Sequence, residues 1–455
     1  MEKNRSSFTG KLGFVLAAAG SAVGLGNIWR FPYLAAEYGG GMFLLVYLIL
    51  AVTFGFTLMT AEIALGRKTG LSAIGAFRAL DKKYSFIGYL AAIVPIIILP
   101  YYSVIGGWVL KYLAMFVSGN GIKTADGEGK FFTGFVGLIG EPILWFGIFI
   151  LATTLIVVFG VEKGIEKASK IMMPILVVLT IVVAVYSIVI DIAEDGGAGL
   201  AYYLIPDFGK FSPMTVVAAL GQLFYSMSLA MGIMITYGSY MKKEVSLESS
   251  VTQIESFDTG IAFIAGLMII PATYAFSGGS PEALGKGPGL MFATLPKVFE
   301  TMAGGHIIGA LFFLLVLFAA LTSSISLMET VVSIVCDKLG WKRKFACAGV
   351  FVFSIVMGLL SCFGYSIWSG VTIIGMQMLD FFDFITNSVM MPVVAFFTCV
   401  FIGYVVKPQT VIDEVELTDR FKRKALFTFV IKYLAPICII AILVSSVLDA
   451  YFKIF

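Results

Sequence analysis

The hydrophobic residues of this chain form long unbroken runs, not the alternating or one-sided patterns of soluble proteins. A membrane-spanning helix needs about 20 mainly apolar residues, and runs of that length recur along the whole sequence. Charged residues collect in short stretches between these runs. The pattern predicts an all-α integral membrane protein with eleven transmembrane helices, at residues 12–36, 41–66, 87–116, 142–160, 171–191, 214–239, 252–276, 305–336, 345–362, 379–405 and 426–451.

The distribution of positive charge predicts how these spans are oriented. Most of the 31 Lys and Arg residues lie at the N-terminus or in loops that follow even-numbered spans. Because cytoplasmic loops are enriched in Lys and Arg, the N-terminus is expected in the cytoplasm. An odd number of spans then places the C-terminus on the extracytoplasmic side of a multi-pass protein of the cell's inner (plasma) membrane.

Composition excludes several classes of protein. Of the 455 residues, 59% are hydrophobic and 13% are charged, and the mean hydropathy of +0.98 is far above that of a soluble domain. The net charge of +3 follows from the loops and forms no nucleic-acid patch. The five cysteines lack the spacing of a metal site. The single histidine, His306, lies at a span end, so no catalytic cluster indicates an enzyme.

The first span contains residues that interrupt a helix. Residues 20–32 read Gly-Ser-Ala-Val-Gly-Leu-Gly-Asn-Ile-Trp-Arg-Phe-Pro, and each glycine weakens a helix by about 1 kcal/mol relative to alanine. Non-helical backbone at membrane depth is tolerated only where it is buried in protein or lines a cavity. The freed carbonyl groups therefore predict a binding site for a small, hard cation.

The sixth span is interrupted in a similar way, because residues 221–232 place small and hydroxyl residues at mid-depth. Spans 1 and 6 begin two five-span halves, which enter the membrane with opposite topology because five is odd. A pair of interrupted spans at matching positions indicates a transporter's central site. We therefore interpret residues 1–455 as one transporter domain: a first inverted repeat at 12–191, a second at 214–405, and an eleventh span at 426–451.

Several motifs resemble those of the neurotransmitter:sodium symporter family, and they occur in that family's order across spans 1 to 10. They are residues 20–32, 37–41, 62–67, 101–102, 108, 221–222, 287–290, 319–324 and 380–383. The number of spans resembles the bacterial amino-acid transporter branch of the family. The resemblance implies a leucine-transporter-like fold, a 5+5 inverted repeat with helices 1 and 6 unwound at mid-membrane, and sodium-coupled uptake by alternating access.

The resemblance implies two sodium ions. One site, Na2, would use the carbonyls of Gly20, Val23 and Ala319 and the hydroxyls of Thr322 and Ser323. The hydroxyl cluster in an otherwise apolar span agrees with this interpretation. The alternative is that these hydroxyls bond back to their own helix.

The other site, Na1, would use the Ala22 carbonyl and the side chains of Asn27, Ser226 and Asp258. The family usually has Asn where this chain has Asp258. An ionised Asp in the membrane costs at least about 3 kcal/mol unless it is paired, and sodium would supply the pair. Alternatively, Asp258 is protonated in one state and couples a proton.

Asp258 also bears on chloride. Chloride-dependent relatives hold the anion with a Tyr, a Gln and two Ser residues. Tyr47, Gln222 and Ser226 match three of these positions, but the fourth is Ala262. The missing ligand and the nearby carboxylate argue against chloride dependence, with Asp258 supplying the compensating negative charge.

The resemblance also implies a substrate pocket. Gly24 occupies the position where amine transporters have Asp, which leaves room for a substrate carboxylate that completes Na1. Tyr102 resembles the tyrosine that meets this carboxylate, Tyr225 resembles an aromatic lid, and Met231 replaces a frequent Phe with a more adaptable side chain. The predicted substrate-binding residues are Ala22, Gly24, Gly26, Ile98, Tyr102, Tyr225, Ser226, Ser228, Met231, Ser323 and Leu327.

Because none of these residues is charged, the expected substrate is a neutral hydrophobic L-amino acid, aromatic or branched aliphatic. Two alternatives stay open: a GABA-like or betaine-like substrate on the same fold, or a sensor that binds an amino acid without transporting it. The expected partners are this small molecule and the lipid bilayer, with no nucleic acid. A homodimer is left open.

Charged residues near both ends of the cavity match the gates of the family. Arg30 and Asp383 match the outer gate. Arg5 and Asp337 match the inner gate, which Tyr240 would cap. For Arg5, the alternative is a simple cytoplasmic anchor.

Three further residues have predicted structural roles. Glu62, an acid within span 2, would bind backbone groups at the break in span 6; a proton relay is the alternative. Gly164 and Pro174 match a family spacing in which the start of span 5 unwinds and admits water to Na2. The alternative is an ordinary membrane-interface start to that span.

Overall fold

The computed structural model describes residues 7–125, 129–276 and 289–454, and within these ranges the chain is helical apart from turns and two isolated β-bridges. The principal helices are α1 (Lys11–Ala22), α2 (Gly26–Glu37), α3 (Gly41–Thr69), α4 (Lys82–Val117), α5 (Gly140–Val158), α6 (Val161–Asp195), α7 (Pro213–Ser226), α8 (Ile233–Gly238), α9 (Leu247–Ala275), α10 (Gly305–Leu339), α11 (Arg343–Tyr365), α12 (Met378–Val405) and α13 (Lys424–Leu448). Shorter helices occupy connections at Ala73–Leu80, Lys130–Val136, Ala198–Leu204, Leu295–Thr301 and Gln409–Val415.

Nine of the helices in the described ranges are long and apolar enough to cross a membrane, and α1 with α2 forms a tenth candidate, bent by 52°. The predicted span at 214–239 corresponds to α7 and α8, each too short to cross alone. The predicted span at 171–191 was too short, since α6 begins ten residues earlier, at Val161. The hydropathy pattern does not include residues 161–170 because Glu162, Lys163 and Glu166 lie there. A helix can continue beyond the apolar part of a bilayer, so its length exceeds that of the apolar run.

The first predicted break is visible where α1 ends. Val23 has φ −74° and ψ 96°, which is extended backbone, and the chain becomes helical again at Gly26 with a wide π-helical turn. Turns of that kind are frequent at functional sites. The break therefore falls within the glycine-rich segment that the sequence singles out.

The second break separates α7 from α8. Residues 227–232 form turns and bends, and Ser228 and Ala230 have positive φ angles of 53° and 61°. Such angles are strained for residues with a Cβ and persist only when the surroundings hold them. The N–H of Ala230 donates to Glu62 Oε1 at 2.7 Å, which fixes the strained turn.

The start of α6 is helical throughout in this conformation. A π-helical turn at Val161–Glu166 leads directly into the α-helix Lys167–Asp195, which continues through Pro174. Proline removes only one backbone donor from a long helix, and packing against α9 and α10 supports the rest. The unwinding predicted between Gly164 and Pro174 is therefore not seen here.

Helix α10 lies at the centre of the bundle and packs against α1, α4, α5 and α6. Outer helices instead leave apolar side chains exposed, as at Val178 and Val185 on α6 and at Val352 and Ile437 on α11 and α13. An exposed apolar surface of this extent suits lipid and not water. Both broken helices lie inside this apolar shell.

Candidate functional site

The two helix breaks meet at the carbonyl group of Ser21. The Ser228 hydroxyl, from the second break, donates to this oxygen at 2.9 Å. The Ser323 hydroxyl on α10 donates to the same oxygen at 3.2 Å. The end of α1, the second break and α10 therefore meet at one backbone carbonyl group, whose hydrogen bonds come from side chains of the other two elements.

A small cavity lies beside this junction. All eleven residues predicted for the substrate pocket line it, together with Ser21, Leu25 and Ile233. Sequence reasoning missed these three, although Ser21 and Leu25 belong to the same broken segment and Ile233 begins α8. A rule that takes every residue flanking a break would have found them.

One side of the cavity has a polar group without a partner. The Tyr102 hydroxyl is buried near the Ser323 hydroxyl and the Leu25 backbone, but it makes no hydrogen bond of normal geometry within the described part of the chain. A Cβ on Gly24 would lie 3.4 Å from that hydroxyl and only 2.6 Å from the Ser323 hydroxyl. An unsatisfied buried hydroxyl costs about 1–3 kcal/mol, so a polar group in the cavity would find a hydrogen-bond partner at Tyr102.

Another part of the cavity wall is apolar, and no lining residue is charged. Ile98, Met231 and Leu327 line it and are buried. Tyr225 covers one end and remains partly exposed. A site with an apolar wall and few convergent polar groups suits a small molecule that has one polar end.

Asp258 is the centre of a buried polar cluster next to the cavity. Its Oδ1 accepts hydrogen bonds from the Asn27 amide at 2.8 Å and the Ser226 hydroxyl at 2.7 Å. Its Oδ2 accepts from the Tyr47 hydroxyl at 3.4 Å. Three of the residues predicted for Na1 are thus in contact, and the fourth, Ala22, lines the adjoining cavity. A carboxylate with carbonyl and hydroxyl oxygens around it fits a hard monovalent cation.

Two of the residues matched to chloride ligands, Tyr47 and Ser226, contact the same carboxylate. The Tyr47 hydroxyl lies 3.4 Å from the Ser226 hydroxyl, and Gln222 donates to the Gly26 carbonyl at 2.9 Å. Ala262 lies one turn beyond Asp258 on α9 and is fully buried. The carboxyl group of Asp258 thus lies among residues that match chloride ligands.

The residues predicted for Na2 bring the end of α1 against α10. A Cβ on Gly20 would lie 3.2 Å from Thr322 Cβ, so the two backbones approach closely. The Thr322 hydroxyl donates to the carbonyls of Phe318 and Ala319 at 3.0 and 3.1 Å, as the alternative interpretation expects. Ser323 instead reaches across to α1. The set of carbonyl and hydroxyl oxygens, with Val23 buried at the break, fits a sodium ion.

The predicted outer gate residues lie above the cavity. The Arg30 guanidinium lies 5.0 Å from the centre of the Tyr225 ring, which is a cation–π contact. Asp383 accepts hydrogen bonds from Tyr101 at 3.2 Å and Asn387 at 2.6 Å. Each of the two side chains contacts other partners in this conformation.

The inner side has a charged network that sequence reasoning missed. Buried Glu329 accepts from the Tyr240 hydroxyl at 2.7 Å and forms an ion pair with Arg343. Arg343 also donates to the Val157 carbonyl at 3.0 Å. An acid in the apolar span of α10 was the available signal, since ionisable residues within a membrane are usually functional.

Of the residues predicted for the inner gate, Arg5 lies outside the described residues. Asp337 accepts a hydrogen bond from the Ser72 N–H at 3.0 Å. Tyr240 packs against Phe8, with ring centres 6.3 Å apart, and Phe8 in turn packs against Tyr237. Buried aromatic rings therefore close the inner side below the cavity.

Glu166 joins the N-terminal segment to the start of α6. Its carboxylate accepts from the N–H of Thr9 at 2.9 Å, from the Thr9 hydroxyl, and from Lys170 at 2.6 Å. The carboxylate reaches Thr9 by passing over Gly13, where a Cβ would lie only 2.2 Å from Glu166 Cδ. This contact depends on the absence of a side chain at Gly13.

We therefore expect Gly13→Ala to destabilise the protein by about 1–3 kcal/mol, because Glu166 would lose its Thr9 bonds. The measurement is thermal unfolding of the purified protein in detergent. Gly10→Ala is the matched control, since a Cβ there meets nothing within 4 Å. Equal melting temperatures for the two variants would contradict the prediction.

A helical membrane protein with two broken helices around a cavity belongs to the class of secondary transporters. The pattern that defines the sodium:neurotransmitter symporter family matches residues 5–120 and 135–453, and the chain belongs to that family. YhdH, a sodium-dependent transporter of Bacillus subtilis (strain 168), is 32% identical over 455 residues, covering 98% of each chain. The sodium- and chloride-dependent GABA transporter 2 of Homo sapiens is 25% identical and covers 97% of this chain and 80% of its own.

The fold also matches a solved structure. The crystal structure of MhsT in complex with L-phenylalanine superposes with a TM-score of 0.87 at 39% identity, covering 97% of this chain and 100% of that one. The family and the shared fold confirm that the chain is a membrane transporter that uses sodium, and not an enzyme.

Proposed function

We propose that the protein is a sodium-coupled secondary active symporter that takes up a neutral hydrophobic L-amino acid, aromatic or branched aliphatic, without requiring chloride. The observation that carries this proposal is the uncharged cavity between the two helix breaks, with the unpaired Tyr102 hydroxyl at one side and the Asp258 cluster beside it.

The chemistry of the cavity supports each part of the substrate. A substrate carboxylate beside Gly24 would accept from the Tyr102 hydroxyl. Its ammonium group would meet backbone carbonyls that the broken helices leave free. An apolar side chain would then lie among Ile98, Met231 and Leu327. The similarity to MhsT, whose crystal structure contains L-phenylalanine, supports an aromatic substrate.

We propose that two sodium ions bind at the predicted residues. Na1 would be held by the Ala22 carbonyl, Asn27, Ser226 and Asp258, and Na2 by Gly20, Val23, Ala319, Thr322 and Ser323. A bound cation supplies positive charge that neutralises a carboxylate in a membrane interior. Asp258 fixes the cluster by accepting three hydrogen bonds, and it makes an external anion unnecessary.

The topology is part of the proposal. We infer that α7 and α8 together make one further crossing, which gives eleven spans, with the halves at 12–191 and 214–405 related as inverted repeats. The N-terminus is then cytoplasmic and the C-terminus extracytoplasmic. Alternating access would open the outer side by moving Arg30 and Asp383 apart, and the inner side by releasing Tyr240 and the N-terminal segment.

The test is uptake of radiolabelled phenylalanine, tryptophan, tyrosine and leucine into proteoliposomes, with an inward sodium gradient and with potassium in its place. Chloride is held constant, and then replaced by gluconate. Accumulation above equilibrium that needs sodium but not chloride is expected. Binding without accumulation would favour a sensor. Competition by γ-aminobutyrate or betaine, with no response to the four amino acids, would overturn the substrate assignment.

Tyr102→Phe should weaken substrate binding by about 10–100-fold, the value of a hydrogen bond to a charged group. Because the hydroxyl makes no hydrogen bond of normal geometry within the described ranges, the variant should keep the thermal stability of the original protein. Equilibrium binding of labelled substrate in sodium measures the first effect. Unchanged affinity would show that the hydroxyl does not contact the substrate.

A further inference from the structure

The start of α13 carries an open groove that lies outside the transport site. Three basic side chains, Arg420, Lys422 and Lys424, line one end of this groove together with the acidic Glu416. Two aromatic side chains, Phe429 and Tyr433, line the other end. The groove therefore changes from cationic to apolar along its length, at the point where the last helix enters the membrane.

The backbone that carries the basic residues is held in place. The Glu248 carboxylate accepts from the N–H groups of Lys422 and Arg423 at 3.0 and 3.2 Å. The Arg423 guanidinium lies 4.4 Å from the centre of the Phe56 ring, and the adjoining Phe421 is buried. Because the loop is already ordered, binding there loses less conformational freedom than binding to mobile surface lysines.

The positive charge at this end is mostly uncompensated. Within the part of the chain that the structure describes, Arg420 and Lys422 are exposed and have no carboxylate within ion-pair distance. Lys424 forms a loose pair with Glu416 at 3.8 Å, and both side chains remain partly exposed. Two free cations and the loosely paired Lys424 around one concave surface suit a phosphate group, which accepts several charge-assisted hydrogen bonds.

The aromatic end continues into the lipid-facing surface. Phe429 and Tyr433 lie one helical turn apart, with rings 5.9 Å apart, and are 56% and 55% exposed. Ile437, one turn further along α13, is also exposed. This stripe extends from the basic residues along a helix that is apolar enough to cross the bilayer.

We propose that this groove binds an anionic phospholipid, with its phosphate at Arg420, Lys422 and Lys424 and an acyl chain along Phe429 and Tyr433. The cationic end of the groove complements the anionic headgroup of the lipid, and the apolar end suits its acyl chain. Free inorganic phosphate shares the headgroup chemistry but would make no use of the aromatic stripe. The proposal does not depend on the substrate that the transporter carries.

The test measures lipid retention by native mass spectrometry of the purified protein in detergent, titrated with palmitoyl-oleoyl phosphatidylglycerol or the matching phosphatidylcholine. The double variant Arg420→Gln, Lys422→Gln should bind phosphatidylglycerol about 30-fold more weakly, from two charges near an anionic lipid. Lys82→Gln with Lys83→Gln is the matched control, since it removes two exposed charges at the start of α4. It should bind phosphatidylglycerol as the original protein does.

Two further arms distinguish the source of the phosphate. Phe429→Ala with Tyr433→Ala should weaken binding of the long-chain lipid but not of dihexanoyl phosphatidylglycerol, and millimolar inorganic phosphate should not displace the long-chain lipid. Displacement by phosphate without any effect of the aromatic variant would identify a free-anion site and overturn the proposal. The proposal would also be overturned if phosphatidylcholine were retained as well as phosphatidylglycerol. The same holds if the control variant at Lys82 and Lys83 lost as much phosphatidylglycerol binding as the variant at Arg420 and Lys422.

Discussion

Asp258→Asn is expected to raise the sodium concentration for half-maximal uptake by about 100-fold. At an effective dielectric constant near 20, two unit charges 4 Å apart attract by about 4 kcal/mol. The amide keeps one oxygen as a ligand and so retains part of the interaction. About 2.7 kcal/mol of lost attraction corresponds to the 100-fold change. Sodium titrations of uptake in proteoliposomes measure it directly.

The same variant tests the inference about chloride. Asp258→Asn removes the fixed negative charge, and Ala262→Ser would supply the hydroxyl that chloride-dependent relatives have at that position. The double variant should therefore recover uptake when chloride is present but not when gluconate replaces it. Tyr47 and Ser226 already contact Asp258, and Gln222 binds the carbonyl of Gly26, next to Asn27 in the chain. Ala262→Ser alone should remain chloride-independent, because Asp258 would repel the anion.

A control variant that removes one negative charge far from Asp258 shows whether the effect on sodium depends on the position of the charge. Asp195 is exposed at the end of α6, and Asp195→Asn removes the same formal charge far from the cluster. Its sodium dependence should equal that of the original protein. A normal sodium dependence in Asp258→Asn would show that this carboxylate does not bind the ion.

Much of the site could be predicted because its residues lie in contiguous motifs. The glycine-rich segment at 20–32 weakens the helix locally, so the break in α1 follows from sequence alone. The pocket residues were found through the resemblance to the family, which also matches residues outside the motifs such as Ile98 and Leu327, and they surround one cavity. A binding site formed by a local break in a helix can therefore be predicted from the residues that weaken that helix.

Features that join distant helices could not be predicted in this way. Glu329 and Arg343 lie in different helices, and the sequence shows only an acid in an apolar run and a lysine-rich loop. The contact between Glu166 and Thr9 depends on the missing side chain at Gly13. The extra turns at the start of α6 escaped detection because hydropathy measures apolar length and not helix length.

Glu329→Gln is expected to have the largest effect on the inner side. It removes the partner of Arg343 and weakens the bond to Tyr240, and breaking a buried ion pair costs about 3–5 kcal/mol. Arg343 is 27% exposed at its side chain, so part of that cost is relieved by water. We expect the inward-open population to rise by about 30-fold, which corresponds to about 2 kcal/mol.

The measurement is the alkylation rate of a cysteine introduced by Ser326→Cys, in a protein whose five native cysteines are replaced. Ser326 is buried below the cavity and bonds to the Tyr237 hydroxyl at 2.8 Å, so it reacts only when the inner side opens. Glu414→Gln is the matched control, because Glu414 is also a buried acid paired with an arginine, Arg67, but does not contact Tyr240. Equal rates in the two variants would contradict a gating role.

A double variant distinguishes charge balance from shape. If the inner side opens because Arg343 is left without its partner, then Glu329→Gln combined with Arg343→Gln should slow alkylation again, since a neutral pair leaves no stranded charge. If the loss of the Tyr240 bond alone opens the inner side, the double variant should react as fast as Glu329→Gln. The coupling between the two substitutions thus measures how much the ion pair contributes to closing the inner gate.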